Sequence, residues 1–84
     1  MNILFTGKAW EDYQYWVSTD PSLVTRINRL INDAQRTPFT GIGKPEALKH
    51  QLAGYWSRRI TDEHRLVYAV EDNQVVIIVA RHHY

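Results

Sequence analysis

The residues of this chain whose types could act together on a substrate are Glu46, Arg59, Arg65, Arg81 and His83. Three guanidinium groups gathered on one small surface repel one another, and a bound phosphate would relieve that repulsion. The chemistry this points to is cleavage of a phosphodiester. RNA can be cut by its own 2′-hydroxyl, given a base for that hydroxyl, cations for the charged phosphorane and an acid for the leaving 5′-oxygen. His83 suits the acid, because imidazole titrates near neutral pH. Glu46 suits the base: it lies in KPEALK between Lys44 and Lys49, and a carboxylate flanked by lysines tends toward a lowered pKa. Pre-placed cations are worth about 3 kcal/mol each in such a transition state.

Each residue also has a plainer reading. Glu46 could be a solvated loop carboxylate. Arg58 and Arg59 could be the solvent face of a strand, and Arg65 could pair with Asp62 or Glu63. No metal site is expected. Cysteine is absent, and His82 and His83 are adjacent, so in a strand they point to opposite faces. No cofactor is expected either. Tyr55, Trp56 and Tyr84 lie among basic residues and suit base stacking. Trp10, Tyr13 and Trp16 read as packing between a helix and a sheet. From residue types alone, a nuclease and a non-catalytic RNA- or DNA-binding module using the basic face stand level. A third reading is an interaction domain whose aromatics serve a protein partner.

The elements that would hold these residues are legible from the pattern. Asn2 to Phe5 reads as a short strand. Thr6-Gly7 can turn and cap a helix whose apolar residues, Ala9, Trp10, Tyr13, Trp16 and Val17, fall at helical spacing. Asp20-Pro21 starts a second helix: an N-cap followed by proline at the first helical position. Leu23, Val24, Ile27, Leu30, Ile31 and Ala34 mark its apolar face, with Arg26, Arg29, Asp33 and Arg36 on the other side. Pro38 ends it near Arg36. The segment 37–50, TPFTGIGKPEALKH, reads as a loop long enough to be functional. Strands follow at 55–60, 65–70 and 75–81, joined by Thr61-Asp62-Glu63 and Asp72-Asn73-Gln74. The last is apolar on both faces and should lie inside the sheet. The expected fold is α+β: an antiparallel helix pair on one face of a small, mainly antiparallel four-stranded sheet, with residues 1–84 as one domain.

Register decides which residues meet. A three-residue loop at 61–63 places Arg65 opposite Arg59. A three-residue loop at 72–74 pairs Glu71 with Val75 and puts Arg65 opposite Arg81, with His83 further along the same face. A two-residue turn at Asp72-Asn73 would instead put Arg65 with His82 and Tyr84. A bulge could re-aim either arrangement.

The totals narrow the class. The net charge is +1, but all four histidines and six of the ten basic residues lie from Lys44 onward. The absence of cysteine fits a reducing compartment. The apolar runs fall short of the ~20 residues of a membrane span, and the beginning does not read as a secretory signal. A cytoplasmic location with no membrane partner is expected.

The block Gly43-Lys44-Pro45-Glu46 to Leu48-Lys49-His50 and the block Trp56-Ser57-Arg58-Arg59-Ile60 to His64-Arg65-Leu66-Val67-Tyr68 carry a family signature, together with the ending ARHHY and the spacing of Trp10, Tyr13 and Trp16. Over nearly its whole length the chain resembles the YoeB toxins of bacterial toxin–antitoxin systems, in the RelE superfamily of ribosome-dependent mRNA interferases. The resemblance implies cleavage of mRNA in the ribosomal A site, inhibiting translation. It assigns general base to Glu46, phosphorane stabilisation to Arg65, general acid to His83 and substrate holding to Tyr84, with Lys49 and Arg59 as supporting cations. Lys44 and Arg81 are added from their place in the basic cluster. The resemblance further implies a YefM-like antitoxin that masks the C-terminal end, operator DNA binding by the toxin–antitoxin complex, and a precedent for a homodimer. Two departures stand out. Ala47 replaces a common proline and is expected to loosen the loop holding Glu46; His82 replaces a common aromatic and sets a second imidazole beside the catalytic one. Loss of Tyr84, or a tag placed after it, is expected to damage substrate positioning.

Overall fold

The computed structural model describes residues 1–82. His83 and Tyr84, to which the sequence assigns the acid and a substrate contact, lie outside the described residues. The chain forms β1 (Asn2–Phe5), α1 (Gly7–Thr19), α2 (Pro21–Arg36), β2 (Glu46–Ala47), a single 3₁₀ turn (His50–Leu52), β3 (Trp56–Arg59), β4 (Arg65–Glu71) and β5 (Gln74–Val79).

Both helices start where their capping residues require. Thr6 accepts from the Ala9 N–H through its hydroxyl, at 3.1 Å. Asp20 accepts from the Ser22 N–H at 3.2 Å, with Pro21 at the first helical position. Asp20 alone separates the two helices, and the Tyr13 hydroxyl of α1 donates to Asn28 Oδ1 of α2 at 2.7 Å. Arg36 is the last residue of α2, one before the Thr37-Pro38 pair that disfavours helix.

Among the described residues the sheet has five strands, not the expected four, in the order β1-β5-β4-β3-β2. The extra strand is β2, two residues inside the loop 37–50, where Glu46 pairs with Ser57 and Ala47 with Trp56. A pair of residues in a Pro- and Gly-rich segment carries no periodicity, so nothing in the sequence marks it. Strand β5 lies inside the sheet as its apolar run predicts. It runs parallel to β1 and antiparallel to β4.

Ile27, Leu30, Ile31 and Ala34 of α2 and Ala9 and Trp16 of α1 pack on Leu66, Tyr68, Val75 and Ile77. Alternation along the strands then sends Glu46, Ser57, Arg59, Arg65 and Val67 to the face away from the helices. Trp16 is core, as expected, but Trp10 is 52% exposed. It stacks on Tyr13, with ring centroids 5.8 Å apart, beside Phe5 at the β1 edge.

Candidate functional site

The turn between β4 and β5 has two residues. Glu71 pairs with Gln74, and Asp72 and Asn73 both take positive φ (50° and 59°), the backbone that a tight two-residue hairpin needs. The pairing continues to Tyr68↔Ile77. Ile78 is then an extra residue, and pairing resumes at Val67↔Val79. The short turn is therefore followed by a one-residue correction, which neither ideal register contains. At the other hairpin Arg59 faces Arg65, as a three-residue loop predicts, and the Ile60 N–H donates to the His64 carbonyl at 3.0 Å.

Arg59 and Arg65 are thus directly opposed on one face of neighbouring strands, where like charges destabilise a sheet unless a counter-charge arrives. Arg65 does not pair with Asp62 or Glu63. Its guanidinium instead donates to the carbonyls of Thr61 (2.6 Å), Asp62 (2.9 Å) and His64 (3.2 Å), which curls it over the turn. Glu46 lies on the same face two strand positions away: it pairs with Ser57, and Arg59 is two residues further along β3. Glu46 and Lys49 are exposed and line a shallow depression of about 340 Å³ with Ala47, Leu48 and His50. Lys44 is exposed at the bend before it, with φ of 53°.

Arg81 does not join Arg59 and Arg65 at its guanidinium. That group lies 3.5 Å from the centroid of the Tyr15 ring of α1. The reason is the path of the chain after β5. Both backbone groups of Ala80 turn to α1: its N–H donates to Asp12 Oδ2 at 3.0 Å, and its carbonyl accepts from Trp16 Nε1 at 2.8 Å. Asp12 is 1% exposed and is also bonded to Lys8. The chain then returns to the sheet, where the His82 carbonyl accepts from the Arg65 N–H at 3.0 Å.

The loop carrying Glu46 is held by a residue that sequence reading placed on a solvent face. Arg58 is fully buried. Its Nε donates to the Tyr68 hydroxyl (2.9 Å), Nη1 to Asp33 Oδ2 (2.6 Å) and the Ile42 carbonyl (3.2 Å), and Nη2 to the carbonyls of Thr37 (2.7 Å) and Thr40 (2.8 Å). All five guanidinium donors are used. The Tyr68 hydroxyl in turn donates to the Pro38 carbonyl at 2.7 Å. Asp33, also read as solvent-facing, accepts from the Ile42 N–H at 2.9 Å and from Arg36 at 2.9 Å. The Ile42 N–H first, and then Arg58, hold the Asp33 carboxyl below its ordinary range, while burial pushes the Tyr68 hydroxyl up. A signal existed in the sequence. Arg58 falls in the same period-two phase as Trp56 and Ile60, and Asp33 falls three residues after Leu30 on the apolar stripe of α2.

Two helices on one face of a mainly antiparallel sheet, with paired arginines and a glutamate on the other, define a small α+β protein. The chain belongs to the YoeB-like toxins of bacterial type II toxin–antitoxin systems, whose family model matches residues 5–84. It is 56% identical to the toxin YoeB of Escherichia coli K12 over 84 residues, the full length of both chains. A YoeB/ParE toxin from Agrobacterium tumefaciens superposes with a TM-score of 0.97 at 51% identity, covering 100% of both chains. YoeB from Staphylococcus aureus, solved in complex with YefM, gives a TM-score of 0.92 at 47% identity, covering 100% of this chain and 98% of that one. A YoeB from Staphylococcus aureus has also been solved as a dimer.

Proposed function

We propose that this toxin is a metal-independent endoribonuclease that cuts mRNA in the ribosomal A site and so stops translation. The observation that carries the reading is the Arg59–Arg65 pair on the face that also bears Glu46. Two arginines at opposed strand positions, one of them held over the turn by backbone carbonyls, favour a site for a phosphate, and a carboxylate on the same face suits a base.

In this mechanism Glu46 takes the proton of a 2′-hydroxyl, and the freed oxygen attacks the adjacent phosphorus. Arg65 stabilises the phosphorane, helped by Arg59, Lys49 and Lys44. His83 protonates the leaving 5′-oxygen while Tyr84 holds the substrate. The products carry a 2′,3′-cyclic phosphate and a 5′-hydroxyl. Arg81 reaches the substrate only by leaving the Tyr15 ring, so its contribution is the smallest of the set. The partner is a YefM-like antitoxin, supported by the Staphylococcus aureus complex; the toxin–antitoxin complex binds its own operator DNA, and the toxin acts as a cytoplasmic protein able to dimerise.

The test is cleavage of a defined message by purified protein on programmed ribosomes, with the new ends identified chemically. Wild type should yield the cyclic phosphate, and Arg65→Ala and His83→Ala should not. Equal cutting by either variant overturns the assignment. Wild-type protein that binds message without producing ends supports a non-catalytic RNA-binding module instead.

A further inference from the structure

His82 is a non-glycine residue with φ of 63°, a left-handed conformation that L side chains seldom adopt unless the surroundings hold it. Two bonds hold it. Its carbonyl accepts from the Arg65 N–H, and its own N–H donates to Nδ1 of His64 at 2.7 Å. A nitrogen that accepts from an N–H carries no proton itself, so the His64 ring is the neutral tautomer with its proton on Nε2. The ring is half-buried and edge-on to Trp16, with centroids 4.8 Å apart and planes at 77°. Trp16 is the residue whose Nε1 grips Ala80. The carbonyl of His64 accepts from the Arg65 guanidinium. One residue therefore ties the cation to the turn with its backbone and the tail to the sheet with its ring.

We infer that His64 is a positioning residue for the proposed cleavage: its Nδ1 fixes the left-handed His82, from which His83 and Tyr84 follow in the chain. His82 then contributes a backbone conformation rather than an imidazole. The inference rests on the nuclease reading for its activity readout, and on His82 itself for an independent one.

The test uses the full-length protein and ribosome-bound message. Asparagine carries an oxygen near the place of Nδ1, whereas glutamine carries it near the place of Nε2. His64→Asn should keep kcat near wild type. His64→Gln and His64→Phe should lower kcat about 100-fold, the scale of an ~1 Å misplacement, with little change in KM. His82→Asn, which tolerates the left-handed region, should stay active, and His82→Val should not. Amide exchange followed by NMR should show the His82 N–H protected in wild type and His64→Asn, and exposed in His64→Phe. His64→Phe with wild-type kcat, His64→Asn as impaired as His64→Phe, or an unprotected His82 amide in wild type overturns the inference. Absence of cleavage by wild type would instead remove the nuclease reading, and the amide exchange would still decide the anchor.

Discussion

Asp33 of α2 and Arg58 of β3 meet at 2.6 Å, with the Arg58 side chain wholly out of solvent. The pair joins the helix layer to the sheet, and the remaining Arg58 donors collect the carbonyls of Thr37, Thr40 and Ile42. The loop that leads to Glu46 is thus wound around a guanidinium. Only arginine has enough rigidly placed donors for this.

Removing one member of a buried pair leaves the other charge unpaired. Arg58→Met, which leaves the Asp33 carboxylate and the carbonyls of Thr37, Thr40 and Ile42 without their donor, should cost at least as much as Asp33→Ala, which should cost about 3–5 kcal/mol. In a domain of this size that is a large share of the total stability. Urea unfolding of the two variants checks the order.

The Asp33 carboxyl is lowered from 3.8 by the Ile42 N–H and by Arg58. A carboxyl whose folded pKa is depressed contributes stability above the unfolded value and loses it as pH falls through the folded one. Stability should therefore drop as pH falls through 3.8 and on toward the lower folded value, and Asp33→Asn should flatten that drop while lowering stability at neutral pH. Thermal melts across the range test this; an unchanged acid slope in the variant would locate the acid sensitivity elsewhere.

Tyr68→Phe removes the acceptor of Arg58 Nε and the donor to Pro38 while keeping the ring. It should cost about 1–3 kcal/mol, the penalty for unsatisfied buried groups. The raised pKa of this hydroxyl adds a second readout. Wild-type stability should fall as pH rises above 10.0 toward the folded value, and the phenylalanine variant should lack that component.

Gly41 has φ of 115°, and a Cβ there would lie 1.9 Å from Asp33 Oδ2. Gly41→Ala should displace the carboxylate, destabilise the protein by about 2 kcal/mol or more, and free the loop before Glu46. Limited proteolysis should cut the variant within 37–45 under conditions where wild type is intact.

Glu46→Gln keeps shape and removes the proposed base, so cleavage should fall about 100- to 10,000-fold while ribosome binding holds. Lys49→Ala should fall less. A glutamine variant that cuts as fast as wild type would assign the base elsewhere.

The helices, their caps and the strand-loop-strand order were readable because each rests on local rules: Asp20-Pro21 for a start, Pro38 for a stop, short apolar and β-branched runs between turn residues for β3 to β5. Three features were not. The β2 pair is too short to leave a period. The Ile78 bulge depends on what the end of β5 meets, namely Asp12 and Trp16 on α1, and no local pattern encodes that. Asp33 and Arg58 share the phase of apolar neighbours, but charged residues seldom lie fully inside; the partnership that makes their burial favourable is long-range and no local pattern pairs them. Of the candidate site, the Arg59–Arg65 pairing followed from the turn length, while the diversion of Arg81 to Tyr15 did not.

Strand β5 lies between β1 and β4, and Ile3 pairs with Val75. Ribosomes make the chain from the N-terminus, so β1 waits with an open edge until almost the whole sequence has been synthesised. An interior strand of the sheet is the last of the described strands to arrive. Because loop closure over so long a separation slows folding, the nascent chain spends its synthesis without a finished core. This toxin therefore joins β1 to the rest of its sheet only after β5 has been made.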